Sequence, residues 1–153
     1  MPMSGNERIA GFVLAIPMLL LAIWGFFVFT VFLHCTPLQW LMYNVCAPTE
    51  IAFFFTLLFS KDKPQRLCVV ALPLLYFGTV GLFIFPWSGQ GAIVSQISHL
   101  LMTLSVVYVI MINRKRELSR GIVYCLLGVA LLIAIQQRYC YVTADVLSKL
   151  LSI

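Results

Sequence analysis

An acidic side chain lies in the middle of an apolar run long enough to cross a bilayer. Residues 38–60 read LQWLMYNVCAPTEIAFFFTLLFS, and as a helix they would extend roughly 34 Å against a hydrocarbon core of about 30 Å. Glu50 falls close to the midpoint. A carboxylate at that depth costs on the order of 3 kcal/mol on insertion scales. Such a group therefore faces the protein interior, finds a partner, and marks a ligand or proton site.

The second chemistry-bearing residue is His99, in the apolar run 92–112, which also carries Ser95, Gln96 and Ser98. Gln96, His99 and Thr103 recur at i, i+3 and i+7, so they share one helical face. If both runs cross the membrane in the same direction, Glu50 and His99 differ in depth by roughly 6 Å, an offset that ordinary helix tilt removes. The expected site is a polar pocket in the outer half of the bilayer, built from Asn44, Glu50, Gln96 and His99, with Ser95, Thr103 and Tyr76 around it. Glu50 would act there as acid or base with His99 as its partner. Pro48 removes one backbone N–H and frees a carbonyl near the acid.

The bland alternative is that these groups only hold helices together, as Asn, Gln, Ser and Thr do in membranes. That alternative suits Gln96 and Thr103 taken singly. For Glu50 the rarity of ionisable residues at midspan favours a site.

Other chemistries find little support. The 5 cysteines form no C-x-x-C and no metal-type cluster with the 2 histidines, so neither a metal centre nor a thiol oxidoreductase is expected, and no cofactor is specified. Most of the cysteines read as small buried hydrophobes. Cys35 and Cys140 could both lie near the outer surface, where an oxidising compartment would allow a disulfide. His34 stands at a helix end, well above His99, which argues against a bis-histidine haem. Neither a nucleophile elbow nor a phosphate-binding loop is present. The segment Pro48-Thr49-Glu50 followed by Phe53-Phe54-Phe55 resembles the Pro-x-Glu-Glu and phenylalanine motif of membrane lycopene cyclases, whose acid would protonate a polyene. Ile51 stands where that family has its second acid, and the likeness ends at Phe55.

The elements that must position these residues follow from composition. In 153 residues, 62% are apolar and 10% charged, against about 25% charged in soluble domains, and the mean hydropathy is +1.02. Repeated continuous runs of helical length, rather than alternating segments of about 10 residues, predict an all-α bundle and not a β-barrel. The expected spans are 9–33, 38–60, 67–86, 92–112 and 121–140, joined by short loops in a single integral membrane domain, with four spans as the alternative if the last run only lies in the interface. A short amphipathic surface helix is expected over 143–153, with a frayed end of the fifth span as the equal alternative. The first run is too long for a secretory signal and ends in His34-Cys35-Thr36-Pro37 rather than a small-residue cleavage site, so it reads as an anchor.

Charge fixes the expected orientation. A cytoplasmic amino terminus puts Arg8, Lys61, Lys63, Arg66, Arg114, Lys115, Arg116 and Arg120 inside, leaving only Arg138 and Lys149 of the 10 basic residues outside. This is a positive-inside pattern for a multi-pass protein of the cytoplasmic (cell inner) membrane. The net charge of +5 then reports topology, not nucleic-acid binding.

Three function classes fit. The leading one is a binding or transport protein for a proton or a small or lipophilic ligand, centred on Glu50. The second is a membrane enzyme acting on a lipid, isoprenoid or quinone-like substrate, with Glu50 and His99 as the catalytic pair. The third is a non-catalytic interaction or immunity-type subunit. The bilayer is the expected environment, and a homo-oligomer could supply symmetry that five spans lack.

Overall fold

The computed structural model describes residues 2–44, 46–84, 87–114, 121 and 123–130. The protein is an all-α helix bundle with no strand among the described residues. Helix α1 (Gly5–Phe27) runs into a π-helical turn (Val28–Phe32). Helices α2 (Pro37–Tyr43) and α3 (Cys46–Phe59) follow, then a 3-10 turn (Pro64–Leu67), α4 (Cys68–Ile84) and α5 (Gln90–Asn113). The segments Gly5–Phe32, Pro64–Phe83 and Gly91–Asn113 are each long and apolar enough to cross a membrane. Residues 123–130 are helical and open the expected fifth span. The remainder of that span, the tail 143–153 and Cys140 lie outside the described residues.

Local signals set the helix starts. Ser4 accepts from the Glu7 amide at 3.2 Å while the Glu7 carboxylate accepts from the Ser4 amide at 2.7 Å. Two otherwise orphaned donors are thereby satisfied. Thr36 and Gln39 make the same reciprocal pair at the start of α2, with Pro37 in the first turn, where a missing N–H costs nothing. Gly89, at φ 90°, precedes α5 in a conformation that side chains disfavour.

The span expected over 38–60 is not one helix. Helix α2 stops at Asn44, whose amide donates to the Trp40 carbonyl at 2.9 Å and whose φ and ψ, −125° and 70°, leave the helical region. Helix α3 then begins at Cys46 and is only roughly 21 Å long. Pro48 explains the division: a proline four residues beyond Asn44 cannot donate to its carbonyl, and it sits instead in the first turn of a new helix. The Asn44 side chain caps that turn, accepting from the Ala47 amide at 3.3 Å.

Packing follows an inside-out pattern. On α1 the buried residues Gly11, Ala15, Met18 and Ala22 form one stripe, and Ile9, Val13, Ile16, Leu20 and Ile23 are exposed on the opposite side. Small residues on the inner stripe let α1 approach α3 and α5 closely. At Gly11 an added Cβ would stand 2.5 Å from the Tyr108 hydroxyl oxygen, and that hydroxyl donates to the Glu7 carbonyl at 2.9 Å. The large apolar side chains that remain exposed on every long helix suit hydrocarbon, not water. Trp40 is buried against Ala22 and Ala47, with Phe26 edge-on at 5.0 Å.

One end of the bundle collects the basic residues. The Met3 amide donates to the Lys61 carbonyl at 2.9 Å, and Asn113 reaches the Pro64 carbonyl at 3.5 Å. These contacts bring the start of α1, the turn after α3 and the end of α5 to one face, carrying Arg8, Lys61, Lys63, Arg66 and Arg114 with them.

Candidate functional site

Glu50, on the second turn of α3, is buried with 2% exposure. Its carboxylate accepts a hydrogen bond from the Ser98 hydroxyl of α5. One helical turn earlier on the same face of α3, Cys46 Sγ lies 3.3 Å from His99 Nε2. His99 is buried with 3% exposure. Two polar contacts therefore cross the same α3–α5 seam, and together they hold a carboxyl, a hydroxyl, a thiol and an imidazole in one cluster.

The spacing of α5 explains how both contacts arise. Ser98, Met102 and Ser105 lie along one row, and Ser105 reaches Met18 Sδ of α1 at 3.5 Å. Gln96, His99 and Thr103 lie along another, directed at α4. Gln96, fully buried, donates to the Leu82 carbonyl of α4 at 3.4 Å. The Thr103 hydroxyl donates to the His99 carbonyl at 3.0 Å, and a Cβ at Gly78 would stand 2.9 Å from the Thr103 oxygen.

Gly81 is the position on α4 that admits His99. A Cβ there would overlap the Cδ2 and Nε2 atoms of the imidazole. The ring thus passes over a glycine of α4 while its Nε2 meets the thiol of α3, and it ties three helices at one level.

The residues expected to line the site separate into groups. Glu50 and His99 fall in the same cluster, with Glu50 bonded to Ser98 and His99 set against Cys46. Gln96 and Thr103 flank it on the α4 side, and Ser95, half-buried, lies one turn before His99 on α5. Asn44 sits elsewhere: its Nδ2 stands 3.1 Å from the Cβ position of Gly25 on α1, and its role is the helix break. Tyr76 is 46% exposed, its ring edge-on to Phe77 at 5.2 Å, on the outer surface of α4.

Cys46 and Ser98 are the members that sequence reasoning left out. Cys46 precedes Glu50 by four residues, so the i, i+4 relation already placed both on one face. Ser98 stands off the Gln96–His99–Thr103 row, which lies along α4 with the His99 ring reaching on to Cys46 of α3, while Ser98 itself bonds Glu50.

No metal-type group of three or more His, Cys, Asp or Glu side chains occurs among the described residues. Cys125 Sγ lies 3.4 Å from the Cys68 carbonyl, joining the start of α4 to the helical residues 123–130 away from the Glu50 cluster. No known family model, curated protein or solved structure matches the chain.

Proposed function

We propose that the protein is a small multi-pass membrane protein of the binding or transport type, whose intramembrane site is the cluster of Glu50, Ser98, Cys46 and His99. The observation that carries this reading is the burial of Glu50 at 2% exposure inside a bundle whose outer faces are apolar. An acid kept at that depth against an insertion cost on the order of 3 kcal/mol is retained for use. Its hydrogen bond to Ser98 and the adjacent thiol–imidazole contact supply groups that can hold or pass on a proton. The break at Asn44 adds to this reading, because interrupted helices in membranes occur where the backbone lines a protein interior. The basic end of the bundle would face the cytoplasm.

The test is proton flux. The protein is reconstituted into phosphatidylcholine vesicles containing a pH-sensitive dye, and flux is driven by a valinomycin-clamped potassium gradient. The wild type conducts protons, and Glu50→Gln, which preserves shape and hydrogen bonding, abolishes conduction while eluting as a folded protein. Equal flux in the two would overturn the reading.

One observation favours a second reading. The contact between Cys46 Sγ and His99 Nε2 is a nucleophile-and-base arrangement. It supports a membrane-embedded enzyme acting on a lipophilic substrate, with Glu50 as the neighbouring acid or base.

A further inference from the structure

We propose that Cys46 is a nucleophile that takes an acyl group from a long-chain carboxylic ester dissolved in the bilayer, with His99 as its general base. The inference rests on the enzyme reading of the same cluster and names its substrate class.

Two features carry it. First, Cys46 Sγ and His99 Nε2 stand 3.3 Å apart, within reach for transfer of a thiol proton to the imidazole. Second, the imidazole is fixed by packing, because Gly81 of α4 lies against the ring. A nucleophile with a base held facing it is a recurring arrangement of covalent catalysis. Ser98 is the other hydroxyl-type candidate, but its proton is directed at Glu50.

The substrate class follows from the surroundings. The long helices around the cluster expose large apolar side chains, such as Leu20 and Ile23 on α1, Leu75 and Val80 on α4 and Ile97 and Leu100 on α5, so a reactant approaching from the bilayer must itself be lipophilic. The step balances without an oxidant or reductant. Sγ bonds to the carbonyl carbon as its proton passes to His99 Nε2. The carbon–oxygen bond to the alcohol then breaks, and the imidazolium returns the proton to the departing alkoxide. A thioester on Cys46 and a free alcohol result, and water or a second acceptor can discharge the thioester.

The experiment uses the full chain in phosphatidylcholine vesicles with p-nitrophenyl palmitate as the probe, following p-nitrophenolate release and locating the acyl group by peptide mass mapping. The expected result is one hydroxylamine-labile palmitoyl group per chain on Cys46, its loss in Cys46→Ser, and a rate at least about 100-fold lower in His99→Gln. Absence of the adduct on Cys46, or acylation of His99→Gln at the wild-type rate, overturns the proposal. Should His99→Gln fail to fold, the wild type decides: acylation of Cys46 less than tenfold faster than that of Cys35 overturns it equally. Proton flux without acylation removes this inference and leaves the Glu50 reading in place, and acylation without flux does the reverse.

Discussion

Gly81 of α4 lies so close to His99 of α5 that a β-carbon at that position would occupy the space of the imidazole ring. The fully buried Gln96 and the half-buried Thr103 flank the same crossing. The glycine therefore sets how near α4 can come and where the ring can lie. Gly81→Ala must shift the ring or separate the helices, and overpacking of this kind costs about 1–3 kcal/mol. The expected outcome is a lower midpoint of thermal unfolding in detergent together with slower acylation of Cys46. An unchanged midpoint would contradict the packing described.

Glycines in open space provide the contrast. At Gly5 and Gly91 an added Cβ meets nothing within 4 Å, whereas at Gly11 it would stand 2.5 Å from the Tyr108 hydroxyl oxygen. Because Ala is the better helix former by up to about 1 kcal/mol, Gly5→Ala and Gly91→Ala are expected to leave the unfolding midpoint unchanged or raise it. Gly11→Ala is expected to lower it. The comparison is made in one detergent at one protein concentration.

Ser98 gives Glu50 its hydrogen bond across the α3–α5 seam. Ser98→Ala leaves a buried carboxyl without that donor, at a cost of about 1–3 kcal/mol. In a double-mutant cycle, Ser98→Ala is expected to be less harmful once Glu50 has been replaced by Leu, with a coupling of at least about 0.5 kcal/mol. Strict additivity of the two changes would argue that the residues do not interact.

The break between α2 and α3 predicts opposite behaviour from a continuous span. Proline inside a helix costs about 3 kcal/mol, so in an unbroken helix Pro48→Ala would stabilise strongly. In the first turn of α3 the same change is expected to alter stability by less than about 1 kcal/mol. Asn44→Ala, by contrast, removes the cap on the Ala47 amide and is expected to cost about 1 kcal/mol.

Much of this was legible in the sequence, for identifiable reasons. The all-α membrane bundle follows from long apolar runs, because only the helix satisfies its backbone polar groups within a single segment in lipid. Glu50 and His99 stood out because ionisable residues at such depth are rare. The division at Asn44 was not foreseen, although Pro48 marked it, because hydropathy continues unbroken through residues 38–60 while hydrogen bonding does not. The pairing inside the site was also hidden. Periodicity identifies which residues share a face of α5, but not whether that face meets α3 or α4, and the answer depends on crossing geometry that Gly78 and Gly81 help to set.

The central claim is that the side chains of Cys46 on α3 and His99 on α5 lie together in the bundle interior, and proximity cross-linking tests it most directly. Cys35, Cys68, Cys125 and Cys140 are replaced by Ser, Cys46 is kept, and a second cysteine is introduced by His99→Cys or, as the outward-facing control, by Leu100→Cys, a position 45% exposed. The membrane-embedded proteins are treated with a short homobifunctional thiol cross-linker and intramolecular bridging is read by intact mass. Bridging in the His99→Cys protein and not in the Leu100→Cys protein is the predicted result; no bridge from position 99, or equal yields from both positions, would contradict the account.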